Sequence, residues 1–296
     1  MSKTLLFLCT LATAAPIVAQ TPAAPKYTMS NDHVGRLATG LTASKQIVYK
    51  KVQDRDLSLF VFNPTGWQAT DQRACYITIH GGGWTGGEPK RMFPFADHYA
   101  KHGLVAISLQ YRLFSAKDPS TSVFNCVKDA RSAVRYIRAH AAELGIDPQK
   151  IIVSGGSAGG HLAIATAMFE AVNEDGEDTS VSAIPNALIL LFPVIDTSKE
   201  GYGNAKIGDR WKDLSPAHNV RVGLPPTITF HGTGDTTTPF KGAQIFHDAM
   251  IKAGNRSELI VNDGGVHGYL MRNQELYDDC MQKSDAFLTS LHLLNP

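Results

Sequence analysis

A chain of 296 residues with 43% hydrophobic content can bury a large core, and its length suits one α/β domain or two small ones. The formal net charge is +1, and loss of the leader described next would remove one lysine and leave none. Such a balance excludes electrostatic attraction to nucleic acid or to an anionic membrane.

Residues 1–19 read as a secretory signal: Lys3 gives a short basic start, Thr4 to Ala15 is apolar, and Ile17-Val18-Ala19 precedes a cut. The apolar run is too short to span a bilayer and Pro16 interrupts it, so no stable membrane anchor is expected. Cys9 follows a leucine very early, which argues against a lipoprotein anchor. The expected location is therefore secreted or periplasmic. Residues 20–44 are expected to be a tether and lead-in, Pro- and Ala-rich from Gln20 to Lys26, with the main folded domain at 45–296.

Gln46 to Val52 and Leu57 to Phe62 alternate around Asp54-Arg55-Asp56 and predict an antiparallel hairpin at a sheet edge. Six short buried-strand runs follow, at Cys75–Ile79, Leu104–Ser108, Lys150–Val153, Ala187–Leu191, Thr227–Phe230 and Glu258–Val261. Helical stretches separate most of them, which implies a parallel sheet covered on both faces. The clearest helix is expected over Phe124–Leu144, ended by Gly145, with Lys128, Arg131, Arg135 and Arg138 off its apolar stripe. The last helix is expected over Gln274–Leu294. The fold class is thus α/β: a single domain with a mostly parallel eight-stranded sheet, an antiparallel N-terminal hairpin and helices on both faces. Cys75, Cys126 and Cys280 have no metal-type spacing and are expected to be buried thiols, with at most one disulfide.

Ile151-Ile-Val-Ser-Gly-Gly-Ser157-Ala-Gly-Gly-His161 is an apolar run feeding Gly-x-Ser-x-Gly and then an Ala-rich helix. That is the context of a nucleophile elbow, in which glycines flank a serine on a sharp strand-to-helix turn. Upstream, His80-Gly-Gly-Gly-Trp84 follows a strand where an oxyanion loop belongs. The expected donors are the N–H groups of Gly82, Gly83 and Ala158. Gly81 to Gly86 also satisfies G-x-G-x-x-G, but the next strand ends at Gln110 where a dinucleotide fold needs an acid.

His267, on a glycine-rich loop late in the chain, is the expected general base. Asp235, on the loop one strand earlier, is the expected acid. Asp196 is the runner-up acid and Asp263 ranks last. His80 and His231 sit at strand ends and are expected to brace loops. No His-Glu-x-x-His, Cys-x-x-Cys or Walker-type motif occurs, so no metal or other cofactor is expected.

With these motifs the chain resembles the α/β-hydrolase superfamily over residues 45–295, and within it esterases of the hormone-sensitive-lipase and bacterial feruloyl or acetyl-xylan esterase groups. His80-Gly-Gly-Gly-Trp84 together with Gly155-Gly-Ser-Ala-Gly-Gly160 carries the resemblance, and looks more like the carbohydrate-esterase branch. Gly156 stands where the lipase branch usually has aspartate, and the long helical N-terminal cap of that branch is missing. Asp196 to Val222 is the only sizeable insertion, so the cap is minimal and the cleft open.

An open cleft with export suits acetyl or feruloyl esters of plant or algal polysaccharide or oligosaccharide, so the expected partner is such a substrate. Trp84, Tyr269, Trp211 and Tyr111 are candidates to line the cleft and stack on sugar or phenolic rings. The alternatives are a general short-chain carboxylesterase, an arylformamidase-like amidase, a prolyl-oligopeptidase-type peptidase and a non-catalytic binding module.

Overall fold

The computed structural model describes residues 31–53 and 55–295. The leader at 1–19, the tether up to residue 30 and Asp54 of the hairpin turn lie outside the described residues. In chain order the elements are α1 (His33–Thr39), β1 (Lys45–Val52), β2 (Arg55–Phe62), β3 (Arg73–Ile79), α2 (Phe93–Lys101) and β4 (Val105–Leu109). Then come α3 (Val123–Ala139), α4 (Ala141–Leu144), β5 (Ile146–Gly156), α5 (Ala158–Met168), β6 (Ala187–Leu191) and α6 (Asn204–Ile207). The chain closes with β7 (Thr227–Gly232), α7 (Phe240–Lys252), β8 (Ser257–Asn262) and α8 (Gln274–Ser290).

The eight strands form one sheet in the order β1-β2-β4-β3-β5-β6-β7-β8. β2 runs antiparallel to both neighbours, and every other pairing is parallel. This is the α/β-hydrolase fold. Because strand side chains alternate between faces, Ile77, Ile107 and Val153 enter one core with α3, α5 and α7. Tyr76, Ala106 and Ile152 enter the other, with α2 and α8. Among the described residues no helix is long and apolar enough to cross a membrane.

Three local features differ from expectation. Residues 33–39 of the lead-in are helical, and Val34 is buried in the second core. Asp32 caps that helix through the Gly35 N–H and accepts a two-pronged ion pair from Arg91, so the ordered domain begins before residue 45. The helix expected over 124–144 breaks at His140 into α3 and α4, and α4 ends at left-handed Gly145 as expected. Finally, Arg131 and Arg135 are buried rather than off the apolar stripe. Arg131 reaches across to donate to the carbonyl of Thr166 at 2.8 Å, occupying an otherwise orphan acceptor in the last turn of α5.

A charged knot ties the antiparallel edge to this framework. Asp129 on α3 is fully buried and accepts from the Arg112 backbone N–H at 2.9 Å, from its guanidinium at 2.8 and 2.7 Å, and from Lys50 at 2.8 Å. Tyr111, one residue before Arg112, donates its hydroxyl to the His80 carbonyl at 3.0 Å, so the knot bears on the loop beside the elbow. Removing the acid would leave two cations, buried Arg112 and Lys50, to share the single carboxylate of Glu174, with most of the Arg112 hydrogen bonds lost. Asp129→Ala should therefore lower unfolding free energy by about 3–5 kcal/mol; an unchanged urea midpoint would refute this role.

Candidate active site

Ser157 joins β5 to α5 at φ 57° and ψ −120°, a conformation rare outside glycine. Tertiary hydrogen bonds hold it there: its N–H donates to the Leu191 carbonyl at 2.9 Å, and its carbonyl accepts from Val194 at 3.1 Å. Close backbone approach demands glycine beside it. A Cβ on Gly159 would stand 2.1 Å from the Ile79 carbonyl oxygen, and one on Gly155 2.3 Å from that of Gly159. The elbow is thereby seated on the end of β3, where the His80–Trp84 loop begins.

His267, on the loop after β8, places Nε2 2.9 Å from Ser157 Oγ and Nδ1 2.8 Å from Asp235 Oδ2. A carboxylate can only accept, so the ring proton resides on Nδ1 and Nε2 faces the serine as an acceptor. Asp235 is 5% exposed and lies on the loop after β7. Its Oδ1 accepts the N–H groups of Thr237 and Thr238 at 2.8 and 2.9 Å, and its Oδ2 accepts the Thr238 hydroxyl at 2.9 Å. Burial alone would push its carboxyl up, but the bonds from His267 and Thr238 outweigh it and hold the group below the usual carboxylate value. The runner-up acids are elsewhere: Asp196 accepts the Ser198 N–H at 2.7 Å, and Asp263 is exposed beside Thr233.

The loop after β3 turns through positive φ at Gly82, Gly83 and Trp84. Its turn closes when the N–H groups of Thr85 and Gly86 donate to the Gly82 carbonyl. Gly82 and Gly83 line the cavity with Ser157, and Ala158 opens α5 directly after it. Among the described residues, the N–H groups of these three donate to no protein acceptor. Lys206, on α6, donates to the Gly83 carbonyl at 3.1 Å and to the Tyr202 hydroxyl at 2.7 Å, bracing the loop from the insertion.

The cavity above Ser157 measures about 730 Å³. Met92, Phe192, Tyr202 and Met271 contribute to its wall, as do the polar Asn31, Asp32, Arg91 and Arg272. Phe192, at φ 37°, lies edge-on to His267 with ring centroids 5.1 Å apart. These lining residues were not legible in the sequence, because the residues ahead of α1, the turn before α2, the end of β6, the insertion and the turn after His267 supply them from distant parts of the chain.

The four aromatic candidates do not line the cleft. Trp84 is fully buried, its indole turned inward against His161 and Tyr202. Tyr111 is buried and stacks on His80 at 4.4 Å. Tyr269 is buried in the core beside α8, and Trp211 is half-buried edge-on to His218. Being large and apolar, Trp84, Tyr111 and Tyr269 gain more from burial than from the cleft wall. His80 and His231 brace loops as expected, through Gly81 and Thr238 carbonyls at 2.8 and 2.7 Å. Cys75, Cys126 and Cys280 are buried free thiols.

Residues 61–250 match the BD-FAE family. Esterase 2 of Thermogutta terrifontis, in its apo form, is 41% identical over 85% of this chain and 96% of that one, with a TM-score of 0.81. Its butyrate-bound form is 40% identical over 85% and 95%, with a TM-score of 0.79. A probable isoprenylcysteine α-carbonyl methylesterase of Arabidopsis thaliana is 25% identical over 67% of this chain and 46% of its own length. Endo-1,4-β-xylanase B of Butyrivibrio fibrisolvens is 26% identical over 70% and 34%. The chain spans about half the length of the curated relatives it matches.

Burial pushes the imidazoles of His80, beside the cavity, and His161, on α5, down to about 4. Both are neutral in the folded state and gain protons on unfolding at any pH between about 4 and the ordinary histidine value of about 6.5. Their contribution is complete above pH ~6.5 and is lost as pH falls toward 4, by up to about 3 kcal/mol each. His161→Gln can keep the bond to the Leu214 carbonyl, and should flatten the decline of the urea midpoint across that window. An unaltered slope would show that His161 is not a source.

Proposed function

The chain belongs to the BD-FAE family of α/β-hydrolase esterases, and on that premise we propose that it is a serine carboxylesterase that removes acetyl groups from polysaccharide or oligosaccharide after export. The single observation that carries the chemistry is the continuous chain Ser157 Oγ, His267 Nε2, His267 Nδ1, Asp235 Oδ2, with both links below 3 Å. Ser157 Oγ attacks the ester carbonyl while His267 Nε2 takes its proton, and Asp235 stabilises the imidazolium that forms. The N–H groups of Gly82, Gly83 and Ala158 receive the developing oxyanion, each worth about 10²–10³ in rate. His267 then protonates the departing alcohol, and water drawn through the same base releases the acyl group and regenerates Ser157. No step calls for a metal or an organic cofactor.

Met92, Phe192 and Met271 favour a small apolar acyl group in the cavity. With Trp84, Tyr111 and Tyr269 buried, a feruloyl ring loses three of the four stacking partners expected for it and retains Phe192 and Tyr202 of the wall, which supports acetyl as the preferred acyl group. The similarity to a protein named endo-1,4-β-xylanase B supports xylan as the carrier, and the leader at residues 1–19 supports export. A second reading, a general short-chain carboxylesterase, is favoured by the butyrate-bound state of Thermogutta esterase 2.

Acetate and ferulate release from acetylated and feruloylated xylan, measured beside 4-nitrophenyl acetate and octanoate, separates these readings. The first reading expects xylan deacetylation comparable to the small acetate, little ferulate, and none with Ser157→Ala. Hydrolysis confined to the nitrophenyl esters would transfer the conclusion to the second. Asp235→Asn should lower kcat by roughly 10³–10⁴ with KM little changed; a loss below tenfold would remove Asp235 from the proposed role.

A further inference from the structure

His98 and His102 stand four residues apart at the C-terminal end of α2, one turn from each other on the same face. Asp285 on α8, 187 residues from His98 in sequence, faces them. One donor atom from each of the three residues lies within 4.8 Å of the other two. Bonds of 2.0–2.1 Å to Zn²⁺ at a tetrahedral angle would separate neighbouring donors by about 3.4 Å, so small side-chain shifts close the set. None of the three lines the catalytic cavity.

The geometry of the rings goes beyond a simple ion pair. His98 Nε2 lies 2.9 and 3.1 Å from the two oxygens of Asp285, so the imidazole and carboxylate already converge on one point. His102 Nδ1 lies 2.8 Å from the His98 carbonyl. A carbonyl only accepts, so the proton sits on Nδ1 and the Nε2 lone pair of His102 is left for another partner. That is the outer-shell bond by which metal-binding histidines are commonly oriented. Tyr99 meets the His98 ring edge-on at 5.0 Å and His102 lies tilted against it at 4.2 Å, fixing the ring between them. His98 and Asp285 are half-buried and His102 is exposed, which leaves an approach from solvent.

We propose that His98, His102 and Asp285 bind one borderline divalent transition-metal ion, Zn²⁺ foremost, and that the ion fastens α8 to α2. Two imidazoles and one carboxylate suit Zn²⁺, Ni²⁺ or Cu²⁺ and not Mg²⁺ or Ca²⁺, which require more oxygen donors. Water completes the coordination. When the ion enters between His98 Nε2 and Asp285, the His98 proton moves to Nδ1 and the ring stays neutral. The site is structural, since none of its three residues lines the catalytic cavity and the ion would join two helices.

The test is calorimetric titration of the metal-stripped, untagged full chain with ZnCl₂, beside His102→Ala and Asp285→Asn. Wild type should bind one Zn²⁺ per chain, and each variant should bind at least about tenfold more weakly. The same concentration of Zn²⁺ should raise the thermal midpoint of wild type by more than that of His102→Ala. His102 is exposed, so its loss should not disturb folding, and ester hydrolysis by that variant should match wild type. The absence of saturable binding up to on the order of 0.1 mM Zn²⁺, or equal affinity in wild type and His102→Ala, would overturn the proposal.

Discussion

The arrangement depends on one close backbone approach: the first turn of α5 resting against the carbonyls at the end of β3. Gly159 permits it, because any side chain there would overlap the Ile79 and His80 carbonyl oxygens. Contact at that point aligns the elbow of β5 with the loop of β3, two adjacent strands in register from Cys75 to Ile79. Ser157 is then held at a positive φ by bonds to the end of β6, which also delivers Phe192 against His267. A strained serine, and the N–H groups that the proposed reaction would use for the oxyanion, are thus set by sheet register.

Rigidity around the site comes from groups that do no chemistry themselves. His80 and His161 are buried neutral, each hydrogen-bonded to a backbone carbonyl, on either side of the Trp84 loop. Thr238 fixes the Asp235 carboxylate through both its N–H and its hydroxyl, so the acid is oriented before His267 meets it. Lys206 and Tyr202 hold the Gly83 end of the His80–Trp84 loop from the insertion. Preorganisation of this kind lowers the reorganisation required when charge develops.

Much of this was legible from local signals. Strand runs, the Gly-x-Ser-x-Gly turn and the order Ser157, Asp235, His267 each express a constraint that acts within a few residues, or a chain order characteristic of one fold. The wall of the cavity was not legible, since Asp32, Arg91, Tyr202 and Arg272 carry no motif and meet only through packing. Trp84 and Tyr269 misled for the same reason. They adjoin functional residues in sequence, yet their side chains leave the backbone on the core side.

The sequence by itself determined the sheet, the elbow and the identities of the three hydrogen-bonded groups, because hydrophobic periodicity and glycine placement are readable along one chain. Only the tertiary structure decided which aromatic rings are core, and that Asn31 and Asp32 ahead of α1, Tyr202 of the 196–222 insertion and the turn before α8 line the cleft. Those outcomes depend on competition among distant segments for buried area and hydrogen-bond partners, and no local pattern records who wins it.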